Sequence, residues 1–162
     1  NIWAVGSLLG IVPNAYPTGP DQKDVCLAAA DQCAGQVFSA YPSVQVVAFT
    51  FRFSNEDPID YFATYHTRTA SCVSQTYSGT GAKDKVGSGD CFMAGLIHGI
   101  RAKKSEQYII DYAASAAFGK LFEEGDVSFS FRNLSSPLLI ITFIYYFVAI
   151  LSFPTVYATD IF

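Results

Sequence analysis

Asp90 is the residue in this 162-residue chain whose type and position best suit acid–base chemistry. It ends the polar segment Asp84-Lys85-Val86-Gly87-Ser88-Gly89-Asp90, and an apolar, helix-patterned segment from Phe92 to Ile100 follows. Gly87 and Gly89 permit a tight turn and a close approach of the backbone to a ligand. A helix start carries unpaired amide N–H groups and partial positive charge, so it binds anions, above all phosphate. A carboxylate at such a site suits a base beside a phosphate.

An Asp in this position also fits a second interpretation, in which it only caps a helix after a glycine-rich loop. The longer segment from Asp84 to Ile100, DKVGSGDCFMAGLIHGI, favours the catalytic interpretation. It resembles the C-terminal signature of ribokinase-like, PfkB-type sugar kinases, roughly D-x-x-G-x-G-D-x-F-x-x-G, and the resemblance continues to Gly125-Asp126. Within that family, Lys-Val-Gly-Ser-Gly-Asp is most similar to the branch that phosphorylates 2-keto-3-deoxygluconate.

The resemblance implies an α/β fold, the C-terminal portion of a ribokinase-like three-layer α/β/α fold. Residues 1–126 would be the nucleotide-binding and catalytic half of an enzyme that transfers the γ-phosphate of ATP to a sugar hydroxyl. The implied acceptor is 2-dehydro-3-deoxygluconate, with a fructokinase or ribokinase type of kinase as the alternative. Mg²⁺ would bridge the phosphates, K⁺ is a further candidate ion, and the full-length parent could be a homo-oligomer.

The resemblance also assigns roles to individual residues. Asp90 would be the base, and the amides of an anion hole would stabilise the transferred phosphoryl group. Three more residues would face the nucleotide, and Asp84 would help hold a monovalent cation. For Arg52 a solvated loop residue is the alternative, for Ala114 a packing role, and for Asp84 an ion pair with Lys83 or Lys85. The anion hole comprises Gly87, Ser88 and Gly89, and the nucleotide-facing residues are Thr50, Arg52 and Ala114.

Two departures from the family pattern keep a third interpretation open. The family carries an N-x-x-E motif that organises magnesium and phosphate, and here Asn1 matches the Asn while Ala4 replaces the Glu. Arg52 also stands where the family has a glycine in a Thr-x-Gly turn. A nucleotide-binding module without catalysis would tolerate both changes. Most sugar contacts in the family come from the N-terminal half, so this chain alone is expected to be a poor or inactive catalyst.

The remaining pattern predicts alternating helices and strands. A helix capped by Asp21 or Asp24 is expected to reach about Tyr41. A buried parallel strand is expected to follow, with Thr50 near its carboxyl end. Further strands are expected beyond it, and His66 is interpreted as an edge residue rather than a catalyst. The helix after Asp90 is expected to be largely buried. The predicted strands are 44–53, 61–65 and 73–77, Gly95 and Gly99 are expected to pack closely on a neighbour, and Ser105 is expected to cap the next helix.

The end of the chain does not match the family. From Phe129 to Phe162 it becomes apolar and aromatic, with Leu138 to Leu151 nearly unbroken. That run is shorter than the roughly 20 residues that a helix needs to span a bilayer. We interpret residues 127–162 as the product of a frame shift or a sequence junction, with a membrane-associated segment as the alternative.

Composition and charge limit the classes of partner that the chain is expected to bind. A net charge of −4 gives no electrostatic reason to expect nucleic acid. Four cysteines without C-x-x-C spacing argue against zinc, and Cys26 and Cys33 are expected to be buried thiols in a reducing compartment. The N-terminal residues do not resemble a signal peptide. We therefore expect a cytoplasmic protein whose partners are ATP and a sugar or sugar acid, and this pattern argues against membrane association.

Overall fold

The computed structural model describes residues 2–16, 19–53 and 57–125, and these residues form three layers. A four-stranded sheet lies between helices on both of its faces. This is the α/β/α arrangement that the resemblance implied. Asn1 and the predicted tail at 127–162 lie outside the described residues. Among the described helices, none is long and apolar enough to cross a membrane.

The first layer contains helix α1 (Ile2–Leu9) and helix α2 (Lys23–Ala40). The predicted helix is confirmed, but its predicted cap is wrong: Pro20–Gln22 forms a 3-10 turn before α2, and neither Asp21 nor Asp24 caps the helix. The alanine-rich sequence of α2 favours helix, and Pro42 prevents its continuation. Cys26 and Cys33 are completely buried on α2, as predicted, and burial raises the pKa of Cys26 to about 11.

The sheet is antiparallel throughout the described residues. Its strands are β1 (Val47–Phe53), β2 (Ile59–His66), β3 (Ser71–Val73) and β4 (Tyr77–Gly79), and β2 pairs with all three others. The prediction of a parallel strand is therefore wrong. Only residues 54–58 join β1 to β2, and so short a connection cannot make the crossover that parallel strands require.

The single strand predicted over 73–77 is instead two short strands, β3 and β4. The interruption occurs at Ser74, whose N–H donates to the Ala63 carbonyl at 2.9 Å. The Ser74 hydroxyl in turn accepts from the Ala63 N–H at 2.9 Å. A side chain thus replaces a backbone partner of β2, and the regular ladder is broken there.

The third layer contains helix α3 (Ser88–Arg101) and helix α4 (Glu106–Lys120). Ser105 caps α4, as predicted, because its hydroxyl accepts from the Tyr108 N–H at 3.4 Å. The predicted close packing of both glycines is also confirmed. A Cβ added at Gly95 would lie 2.7 Å from the Ala113 Cα. One added at Gly99 would lie 2.8 Å from Cγ1 of Ile109. These two glycines let α3 and α4 approach until their backbones nearly touch.

The expectation that α3 is largely buried is only half correct. Phe92 and Leu96 are buried against α4 and the sheet. Met93, Ile97 and Ile100 are exposed by 55%, 49% and 43%. The apolar positions cover a wider arc of the helix than the neighbouring elements among the described residues can cover.

Two cores lie on opposite faces of the sheet. The core toward α1 and α2 includes three phenylalanines of the sheet, Phe49, Phe51 and Phe62. The core toward α3 and α4 includes Tyr61, Ala63 and Tyr65. His66 ends β2, which is the central strand, and it is 4% exposed, so its interpretation as an edge residue is wrong.

Candidate functional site

The candidate site is the glycine loop, Asp84–Asp90, at the start of α3. Gly87 precedes the helix with φ of +78°, a left-handed conformation that favours glycine. The Cys91 N–H donates to the Gly87 carbonyl at 2.9 Å, which closes the first turn of the helix. No side chain caps this helix end within the described part of the chain. The amides ahead of Cys91 are therefore donors available to an external acceptor.

Asp90 projects from the first turn of α3 and is exposed. Gly89 is exposed as well, and a Cβ placed on it meets no described atom within 4 Å. Ser88, between the two glycines, is buried. The loop thus combines free amide donors, open space and one accessible carboxylate. This combination could bind an anion and accept a proton beside it.

The glycine loop is attached to the end of α4. The Leu121 carbonyl accepts from the N–H groups of Lys83, at 2.7 Å, and Asp84, at 3.2 Å. Within the loop, Oδ1 of Asp84 accepts from the Val86 N–H at 2.9 Å. Asp84 therefore has a structural role in shaping the turn. Its role in holding a monovalent cation stays a prediction.

Thr50 and Arg52 lie inside β1, which corrects the placement of Thr50 near the end of the strand. The strand continues to Phe53 without a turn. Phe51 is 1% exposed and stacks on Phe62 with ring centroids 4.9 Å apart, and this packing keeps the chain extended beyond Thr50. The end at Phe53 agrees with the predicted strand 44–53, and only the turn after Thr50, which was inferred from the family pattern, is wrong.

Strand alternation nevertheless places Thr50 and Arg52 on the sheet face that carries α3 and α4, together with Ala48. Tyr61 on β2 lies beside them. Burial raises the pKa of the Tyr61 hydroxyl far above its usual range, while the Arg52 guanidinium and a hydrogen bond with Thr50 oppose this shift. Contact of Thr50 and Arg52 with a nucleotide stays a prediction.

Ala114 lies in the middle of α4 and is completely buried, with Ala113 and Ala117, in the core toward the sheet. Its methyl group offers no surface to a ligand in the described structure. This burial agrees with the packing role that the sequence left open, and a border to adenine stays a prediction.

Lys120 is the residue of this region that the sequence did not reveal. It is completely buried at the end of α4, and its Nζ donates to the Glu123 carbonyl at 3.2 Å. A lysine in the last turn of a helix is normally an exposed partner of the helix dipole, so its residue type carries no signal of burial.

The described residues do not fit a metal ion held by protein side chains. No group of three His, Cys, Asp or Glu residues that could hold one occurs among them. Ala4, where the family has its Glu, is half-buried on α1.

Comparisons with known proteins agree with this picture of the fold. No protein-family model matches the sequence, and no curated protein sequence matches it. Among solved structures, the chain is similar to a 2-dehydro-3-deoxygluconokinase from Thermotoga maritima, with a TM-score of 0.69 and 23% identity. That match covers 80% of this chain and 37% of the other. A PfkB family carbohydrate kinase from Listeria grayi matches with a TM-score of 0.58 and 20% identity, over 68% of this chain and 36% of the other.

The chain thus spans little more than a third of the length of the structures it matches. At sequence identities of 23% and 20%, the similarity shows a shared fold and nothing more. These solved structures share the three-layer arrangement that the described residues form. The described part of the chain has the fold of a fragment of the ribokinase-like, PfkB-type sugar kinases.

Proposed function

We propose that the described residues form the phosphate-binding and catalytic part of an ATP-dependent sugar kinase. One observation carries the proposal. The exposed carboxylate of Asp90 lies in the first turn of α3, next to the free amides of the glycine loop, in which Gly87 has a left-handed conformation. The fold around this loop is shared with sugar kinases. The helix-cap interpretation of Asp90 is not supported, because the residue before α3 is Gly87 and no described side chain caps this helix end.

In the proposed reaction a sugar hydroxyl oxygen attacks the γ-phosphorus of ATP, and the bond from this phosphorus to the bridging oxygen of ADP breaks. Asp90 accepts the hydroxyl proton as the new bond forms, a contribution typically worth about 10²–10⁴-fold in rate. The amides of Gly87, Ser88 and Gly89 donate to the phosphoryl oxygens. Because these donors are in place before the reaction, they stabilise the growing charge without reorganisation.

The proposed acceptor is 2-dehydro-3-deoxygluconate. Two features support it: the Lys-Val-Gly-Ser-Gly-Asp sequence of the glycine loop, and the similarity to the Thermotoga structure. A kinase of the fructokinase or ribokinase type is the alternative. Competition among 2-dehydro-3-deoxygluconate, fructose and ribose for a limiting amount of ATP would separate these acceptors.

The test of the catalytic role is Asp90→Asn, made in a protein that joins this sequence to a sugar-binding half. Asp24→Asn is the matched control, because Asp24 is an exposed carboxylate in the first turn of α2. We expect Asp90→Asn to lower phosphate transfer by about 10²–10⁴-fold while the Kd for ATP changes little. Asp24→Asn should leave both unchanged. Near-normal turnover in Asp90→Asn would remove Asp90 from the role.

Nucleotide binding without catalysis is the second candidate function, and Ala4 in place of the family Glu favours it. The same assays distinguish the two. A joined protein that binds ATP at the glycine loop but transfers no phosphate with any of the three acceptors would support a binding module.

A further inference from the structure

Lys120 is unusual because a lysine side chain is almost never fully buried unless its charge has a function or a partner. Here it is 0% exposed, among the largest completely buried side chains of the described residues. Its Nζ donates to the Glu123 carbonyl at 3.2 Å, so the side chain reaches to the turn that follows the end of α4. A methionine would fill a similar volume without burying a charge.

The position of Lys120 links it to the glycine loop. The next residue, Leu121, accepts the two backbone hydrogen bonds, from Lys83 and Asp84, that hold the entry to the loop. Any displacement of the last turn of α4 would therefore displace the loop. Lys120 lies inside the turn on which this attachment depends.

The charge of Lys120 also extends to the start of α3. Burial raises the pKa of the Cys91 thiol, while the Lys120 ammonium lowers it and the carboxylates of Glu123 and Asp90 raise it. Cys91 is the residue after Asp90, and its N–H closes the first helical turn. A buried cation thus lies near the start of α3, next in sequence to the Leu121 carbonyl that holds the entry to the glycine loop.

We propose that Lys120 is a positioning residue of the phosphate site, which fixes the end of α4 under the glycine loop and adds positive charge behind the loop amides. The inference rests on the proposed function. A cation at this place attracts the terminal phosphates of ATP through the protein interior, where solvent screens charge less than at the surface. It does not touch the ligand.

The experiment compares binding of ATP and of adenosine to the 162-residue chain by calorimetry. Lys120→Met removes the charge and keeps the length of the side chain. Lys104→Met is the matched control, because Lys104 is exposed beyond the far end of α3 and its loss changes the net charge equally. We expect Lys120→Met to weaken ATP binding about tenfold and adenosine binding less than twofold, as for the loss of one partly screened charge. Lys104→Met should change neither by more than about twofold.

The possible results separate the two proposals. If the wild-type chain binds ATP and Lys120→Met binds it equally well, the inference is overturned and the proposed function stands. Equal weakening of ATP and adenosine binding would show a merely structural role and also overturn the inference. A wild-type chain that binds neither ligand contradicts the proposed function and the inference with it.

If Lys120→Met does not fold, the wild-type chain still provides a test. With ¹³C at the Cε of lysine, the Lys120 resonance should shift when ATP is added and stay in place when adenosine is added. An unchanged Lys120 resonance at saturating ATP would overturn the inference.

Discussion

Gly95→Ala tests whether α3 and α4 are as close as the structure shows. The added Cβ would lie 2.7 Å from the Cα and 3.3 Å from the backbone N of Ala113. Both are backbone atoms of α4, which cannot rotate away as a side chain could. Overpacking of this kind costs about 1–3 kcal/mol, and a contact with backbone belongs in the upper part of that range. Replacing a mid-helix glycine by alanine recovers about 1 kcal/mol of helix propensity.

The expected net result is a loss of about 1–2 kcal/mol in the free energy of unfolding, measured by urea denaturation. Gly35→Ala is the matched control, because Gly35 is exposed within α2 and an added Cβ meets no described atom within 4 Å. That substitution should stabilise the protein by about 0.5–1 kcal/mol. If Gly95→Ala stabilised the protein as much as Gly35→Ala does, the close approach of the two helices would be refuted.

Two further predictions concern pH and capping. Burial lowers the pKa of His66 below 6.5, although Asp31 at 3.2 Å from Nδ1 opposes the shift, so the folded state favours neutral His66. The free energy of unfolding should therefore fall as pH is lowered below 6.5, by up to about 1.4 kcal/mol per pH unit. His66→Gln should reduce the dependence of this free energy on pH, measured by urea denaturation between pH 7 and 5. An unchanged dependence on pH would contradict this. Ser105→Ala should lower the free energy of unfolding by about 0.5–1 kcal/mol, because α4 loses its cap, and Ser105→Gly should lower it by only a few tenths of a kcal/mol. Equal stability of Ser105→Ala and the wild type in urea would argue against the cap.

The glycine loop and the packing glycines could be predicted because their requirements are local. A glycine before an apolar helix suits a left-handed turn, and φ of +78° at Gly87 agrees. Gly95 and Gly99 cost helix stability, so close packing was the natural compensation, and the structure confirms it. The fold itself was predicted from the resemblance of the segment around Asp90, not from composition.

Strand direction and exposure could not be predicted, because both depend on distant parts of the chain. A short apolar strand such as β1 is compatible with parallel or antiparallel neighbours, and only the pairing with β2 decides. The exposure of Met93, Ile97 and Ile100 depends on which elements lie beside α3. Lys120 was missed for the same reason, since burial of a lysine is determined by tertiary packing and not by its helix.

The most direct test of the central claim is an amide NMR titration of the ¹⁵N-labelled chain with ATP, with adenosine as the control. We expect the amide resonances of Gly87, Ser88 and Gly89 to shift most with ATP and to stay in place with adenosine, because these donors bind the terminal phosphates. If ATP shifts amides elsewhere and leaves these three unchanged, the glycine loop is not the phosphate site.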